Sequence, residues 1–176
     1  MSDIFQELVK RRSIRRYTEE PIADDLLRRI LAVGLMSASG KSKFPWQFIV
    51  VRDRAMLEKL SGCRVGVAKM LAKAACAVTV TGDKTITDTV IEDCTIAAIN
   101  MHLEASSLGL GSCYIQGRGR EAEDGRTTED FVRSLLGFPE KYQLQAILSL
   151  GHPLKEARPH DVEKLDWSKV HNENFQ

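Results

Sequence analysis

The chain has almost no charge excess. Its 25 lysines and arginines stand against 24 aspartates and glutamates, for a net +1. A protein that coats nucleic acid shows a strong basic surplus, so the whole-chain balance argues against that class. Cysteine is scarce too. Cys63, Cys76, Cys94 and Cys113 form no CxxC pair, which disfavours a metal site or a dithiol motif. They read as buried free thiols, and a reducing cytoplasm is the expected setting. No apolar run approaches membrane-spanning length, so no membrane contact is expected. The opening MSDIFQELVK is amphipathic and acidic, unlike the core of a signal peptide, which again suggests an intracellular protein.

Nucleotide-binding motifs are also missing. No GxxxxGK[ST] occurs. The segment GLGSCYIQG (109–117) runs into a strand and does not leave one for a helix, so neither a P-loop nor a Rossmann turn is indicated. The histidines His102, His152, His160 and His171 fall into no Ser-His-Asp or Cys-His order. His102, on the longest helical stretch, reads as a satisfied core or interface histidine. The residues therefore nominate no catalytic side chain and no metal ligand. Chemistry, if there is any, falls to a cofactor.

What the chain does have is KRRSIRRYT (10–18), with five cations in its first seven positions. A solvated face, a nucleic-acid patch and an anion site all fit such a run. Arg11, Arg12, Ser13 and Arg15 lie within five residues of one another. Guanidinium groups bind phosphate bidentately and a serine hydroxyl adds a donor, so the four could hold one phosphomonoester. The scarcity of interleaved aromatics weighs against nucleic acid. Ile14 and Tyr17 read as packing residues, Lys10 and Arg16 as solvated or salt-bridged.

Around this run the pattern predicts one α+β domain over 1–176, with about 152–176 as an extended tail. Ser2 or Asp3 caps a first helix whose Ile4, Phe5, Leu8 and Val9 form a buried stripe. Pro21 and the pair Asp24 and Asp25 announce a second helix with Leu27, Ile30, Leu31 and Leu35 inward. A loop covers 37–46, and a strand 47–51. Asp53 caps a helix through Leu60. A further helix is expected over 67–75 and a buried strand over 76–82. The longest helix runs from Asp88 to Leu108, with Glu92 and Asp93 as dipole compensation and Gly109 as its stop. Strands follow over 110–115 and 143–151, separated by a charged loop (117–126) and a helix from Thr127 or Thr128 to Gly137. The tail keeps only Leu165, Trp167, Val170 and Phe175 as apolar anchors, which suits wrapping over another surface.

Four blocks then occur in order: RRSIRRYTEEPI, SASGKSKFPWQFIVV, IEDCTIAAINMHLEASSLGLGSCYI and LSLGHP. In this arrangement the chain resembles the nitroreductase family of FMN-dependent oxidoreductases. The resemblance implies a mostly antiparallel central sheet flanked by helices. It also implies an intertwined homodimer in which each C-terminal segment extends onto the partner. NAD(P)H would pass hydride through flavin N5 to an electron-poor acceptor, such as a nitroaromatic or a quinone. Dehalogenation, dehydrogenation, or a flavin-binding dimer without turnover are the alternatives. By position, Arg11, Arg12, Ser13 and Arg15 match the residues that hold the FMN ribityl and phosphate. Ser37, Ser39 and the loop through Pro45 to Trp46 match a wall of the flavin cleft that often comes from the other subunit. Gln116 and Gly117 match the stretch where a backbone N–H, that of Gly117, approaches N5. Arg158, or else Lys155, would complete the phosphate clamp. Many members carry Asn and Gln before the Pro-Trp pair; here Lys41, Ser42, Lys43 and Phe44 stand in that loop.

Overall fold

Short polar side chains set the helix starts. In the computed structural model, which describes residues 3–175, Asp3 accepts the Phe5 N–H at 3.0 Å and opens α1 (Ile4–Lys10); Ser2 lies outside the described residues. Asp53 accepts the Met56 N–H at 2.8 Å ahead of α3 (Arg54–Leu60), and Thr127 the Asp130 N–H at 3.0 Å ahead of α5 (Thr128–Leu136). Such caps satisfy N–H groups that the first turn leaves without partners. Helix α2 is Asp24–Leu35, and α4, the longest, is Val90–Ser107. Gly109 ends α4 at a φ of 74°, letting the Leu110 N–H donate to the Ala105 carbonyl at 2.8 Å.

Four strands, β1 (Trp46–Val51), β2 (Cys76–Asp83), β3 (Gly111–Gln116) and β4 (Tyr142–Gly151), form one antiparallel sheet in the order β1-β2-β4-β3. Alternate residues feed two cores. Val78, Val80, Leu148 and Leu150 face Ile30 of α2 and Cys94, Ala98 and Met101 of α4. Ala77, Ile115, Leu144 and Ile147 face Leu57 and Leu60 of α3 and Val132 of α5. Every residue of β2 is buried, as a central strand covered on both faces requires. The expected α+β architecture is the one observed. All four cysteines are free and buried. Burial pushes the thiols of Cys63 and Cys94 up to about 12 and that of Cys76 to about 11.

Three expectations need correction. Leu35 of α2, read as inward, is 60% exposed. The stripe on α1 is not buried in the chain: Ile4 is 75% exposed, and Phe5 and Leu8 are exposed as well. Nothing in the sequence pattern says which surface covers an apolar stripe. The helix expected over 67–75 is a five-residue 3₁₀ turn, Lys69–Lys73. The chain must already be extended at Ala74, so that the Ala75 N–H can donate to the Leu150 carbonyl at 2.9 Å. Too few residues remain to repay helix nucleation.

The paired ends of β3 and β4 position the basic run. Gly111 and Gly151 lie directly opposite each other. A Cβ on Gly111 would sit 2.7 Å from Ile14 Cγ2, and one on Gly151 would sit 2.8 Å from Tyr17 Cδ1. Only glycine lets Ile14 and Tyr17 press onto the sheet there. The Ile14 N–H donates to the Ser112 carbonyl and the Thr18 N–H to the His152 carbonyl, both at 2.9 Å.

Candidate functional site

With Ile14 and Tyr17 turned inward, the polar side chains between and before them face out. Arg11, Arg12, Ser13 and Arg15 line one cavity of about 470 Å³ together with Ala157, Arg158 and His160. No carboxylate is among its lining residues. The Arg12 Nη1 donates to the Arg158 carbonyl at 2.7 Å, and the Arg15 Nη1 to the Ser13 carbonyl at 3.4 Å. These tethers are neutral oxygens, so they orient the guanidinium groups without cancelling their charge. Arg11 is held likewise, its Nη1 donating to His102 Nε2 at 2.9 Å. Burial first, and Arg11 second, pull His102 down to about 4, so the ring stays neutral near pH 7. An anion meets a cluster of uncompensated positive charge.

Of the two cations considered for completing that cluster, Arg158 lines the cavity. Lys155 lines an adjoining hollow of about 390 Å³ with Lys10, Arg12 and Pro153. Lys10 pairs with Glu7 at 3.6 Å, and Arg16 is exposed.

The other nominated residues lie elsewhere in the chain and are already engaged. The Ser37 hydroxyl donates to the Val33 carbonyl and accepts from Asn100 Nδ2, both at 3.0 Å. The Ser39 hydroxyl donates to Asp93 at 2.7 Å and accepts the Phe44 N–H at 2.8 Å. Asp93 also accepts the Gly40 N–H at 3.0 Å. It is therefore the buried anchor of the 39–44 loop and not merely a dipole-compensating acid. That loop is strained, with positive φ at Lys41, Ser42 and Phe44. Pro45 is buried, and its carbonyl accepts the Asp83 N–H at 2.9 Å.

At the far end of β3 the Gly117 N–H does not point outward as expected. It donates to the Gln145 carbonyl at 3.0 Å, and the Arg118 N–H donates to the same oxygen at 3.3 Å. The cause is a bulge in β4. Pairing moves from Val80 with Ala146 to Thr81 with Leu144, so Gln145 is the extra residue and its carbonyl turns to these donors. Gln116 accepts from the Tyr114 hydroxyl at 3.3 Å and donates to the Arg118 carbonyl at 3.2 Å. The sequence reading missed the loop role of Asp93 and the link from His102 to Arg11. A signal existed for both: each falls on a stripe of α4 spaced by four, 93-97-101 and 94-98-102, where a buried polar residue needs a partner.

The model of the Nitroreductase family matches residues 8–79 and 62–152 of the chain. The chain is a member of the nitroreductase family. An FMN-dependent nitroreductase from Clostridium difficile is 39% identical and superposes with a TM-score of 0.94, over 97% of this chain and 99% of that one. A protein of Archaeoglobus fulgidus, provisionally named NADH dehydrogenase/NAD(P)H nitroreductase, is 32% identical across 99% of this chain and 100% of its own length. An NADPH-flavin oxidoreductase of Vibrio harveyi is 28% identical over 99% of this chain and 75% of that protein. The matched residues of the nitroreductase model contain Arg11, Arg12, Ser13 and Arg15, whereas Arg158 and Lys155 lie beyond its last matched residue, 152.

Proposed function

We propose that this chain is an FMN-dependent oxidoreductase that uses NAD(P)H as reductant. The observation that carries the reading is the cluster of Arg11, Arg12, Arg15 and Arg158 around one cavity with no carboxylate in its lining. That donor set fits the phosphate end of FMN. The guanidinium groups supply charge-assisted bonds and Ser13 a hydroxyl donor. When bound, FMN would supply the redox chemistry, hydride transfer between NAD(P)H and an electron-poor acceptor such as a quinone or a nitroaromatic. The chain's own task is to bind, orient and tune. Arg12 is pre-aimed by the Arg158 carbonyl, which lowers the ordering cost on binding. The stretch 39–45 would shape a wall through its backbone, because the Ser37 and Ser39 hydroxyls are engaged within the chain.

The working unit we propose is a homodimer of the single 1–176 domain. Helix α4 carries apolar residues beyond its core face. Its Ile96 and Ile99 are 40% and 39% exposed although its other face fills the core. Ile4, Phe5 and Leu8 of α1, and Leu165, Trp167, Val170 and Phe175 of the tail, are exposed as well. A second copy would cover these surfaces.

The test is the visible spectrum of purified protein, with the released flavin identified after denaturation. Bound FMN that bleaches under anaerobic NADH or NADPH, and recolours with a quinone, is the expected result. A protein that takes up no FMN overturns the proposal. The strained 41–44 loop favours one second reading, a flavin-binding dimer without turnover. Stoichiometric FMN that neither nucleotide reduces would select it.

A further inference from the structure

His102 has no part in the chemistry proposed above, yet it is only 3% exposed and both of its ring nitrogens are engaged. Two neighbours fix its proton. Arg11 has donors only, so the 2.9 Å contact from its Nη1 requires a bare lone pair on Nε2. The Ser112 hydroxyl directs its proton to the His102 carbonyl at 3.4 Å, which leaves its oxygen free to accept from Nδ1–H. Both arguments give the same neutral tautomer, with the proton on Nδ1. The three residues come from three elements: Arg11 follows α1, His102 is on α4 and Ser112 is on β3.

We propose that His102 is a positioning residue for the anion cavity: it fixes the Arg11 guanidinium at the wall through a neutral acceptor, so that the full positive charge of Arg11 stays available to a phosphate. The role rests on the FMN reading for the identity of the ligand, though not for the geometry. A carboxylate in this place would hold Arg11 more firmly but would neutralise it. A leucine would leave its long side chain free to wander, at an ordering cost on every binding event. A neutral imidazole avoids both. Ser112 takes part by holding the tautomer, as hydrogen bonds to the far ring nitrogen commonly do.

The test compares His102→Leu with His102→Gln, whose amide oxygen can reach the place of Nε2. FMN affinity is read by quenching of flavin fluorescence, and orthophosphate affinity by ³¹P line broadening. Leucine should weaken FMN by about tenfold, the value of one well-placed bond to a charged group, and glutamine should restore it to within about threefold. Leucine that binds both ligands like wild type overturns the proposal, and so does glutamine that binds as weakly as leucine. If wild type binds orthophosphate but not FMN, and leucine loses the orthophosphate, the FMN reading fails and His102 keeps its role. If wild type binds neither, both fall. Should the leucine variant not fold, long-range ¹H–¹⁵N correlation of the wild-type protein decides. A proton on Nδ1 and a bare Nε2 support the assignment, and a proton on Nε2 sinks it.

Discussion

Residues 11–17 and residues 37–45 are both irregular backbone packed beside the sheet, but they are secured in opposite ways. The first stretch is seated by shape, with Ile14 on Gly111 and Tyr17 on Gly151. The second is tied by a buried charge, with Asp93 holding the Ser39 hydroxyl and the Gly40 N–H. A seat made of apolar surface spends no side-chain donor, so the arginines, each tethered through one nitrogen to a neutral acceptor, keep their remaining donors for a ligand. A polar tether consumes hydrogen-bonding capacity, so Ser37 and Ser39 have theirs committed. The tethered stretch also carries three non-glycine residues at positive φ, whereas the shape-seated one has none. Polar density in a sequence therefore does not measure what is free to bind.

The largest effect expected from this contrast is on cofactor retention. Replacing Arg12 and Arg15 together by alanine should cut FMN affinity at least a hundredfold, at roughly 1.5–3 kcal/mol for each bond to a charged group. The melting temperature should hardly move, because Ile14 and Tyr17 keep the backbone seated. Unchanged FMN affinity would remove the phosphate assignment, and a large drop in melting temperature would break the claim of seating by shape.

Next comes the pH response of His102, which Arg11 ties to the shape-seated stretch. Arg11 is the charged group that faces it, and burial and Arg11 both disfavour its protonation. Its folded value of about 4 lies below the ordinary 6.5. Between these values the unfolded chain binds the proton and the folded chain does not, so stability rises with pH across that window. Acidification from 6.5 to 4 should cost up to about 3 kcal/mol by linkage. Urea melts at several pH values should show a flatter profile in His102→Gln; an identical slope would remove the histidine as the cause.

Gly111→Ala tests the seat directly. The added methyl meets Ile14 near its Cβ, where little can give, and should cost about 2 kcal/mol. FMN affinity should fall with it as the 11–15 backbone lifts; normal affinity in a destabilised variant would uncouple the seat from the site. The smallest effect on binding is expected from Ser39→Ala, which should cost roughly 1.5–3 kcal/mol of stability for a lost bond to a buried carboxylate. Faster hydrogen exchange at Gly40 and Phe44, with orthophosphate binding unchanged, is the expected signature. A loss of orthophosphate binding would mean that the two stretches do not act separately.

Much of this was legible beforehand. Asp3, Asp53 and Thr127 marked helix starts, and Gly109 and Gly137 marked helix ends, because those signals act within one turn. The four strands stood out as short apolar runs, β-branched in β1 and β2. The arginine cluster was visible because its members are neighbours in sequence. What stayed hidden depends on distant partners. Asp93 looks like any acid in a first helical turn until Ser39 and Gly40 arrive from 54 and 53 residues away. The Gly117 N–H looked free because the bulge that turns the Gln145 carbonyl toward it is a matter of register. The apolar stripe of α1 reads correctly as apolar, but its covering surface is not written in its own period.

The four buried thiols provide a clock for the opening of the fold. Thiol reagents attack the thiolate, and burial both withholds that form and blocks access. Each cysteine therefore labels only when its own surroundings part. Cys76 times the central strand, Cys113 the strand behind the arginines, Cys94 the long helix, and Cys63 the segment after α3. Mass spectrometry of timed alkylation would rank the order in which these layers come apart, without a single substitution in the chain.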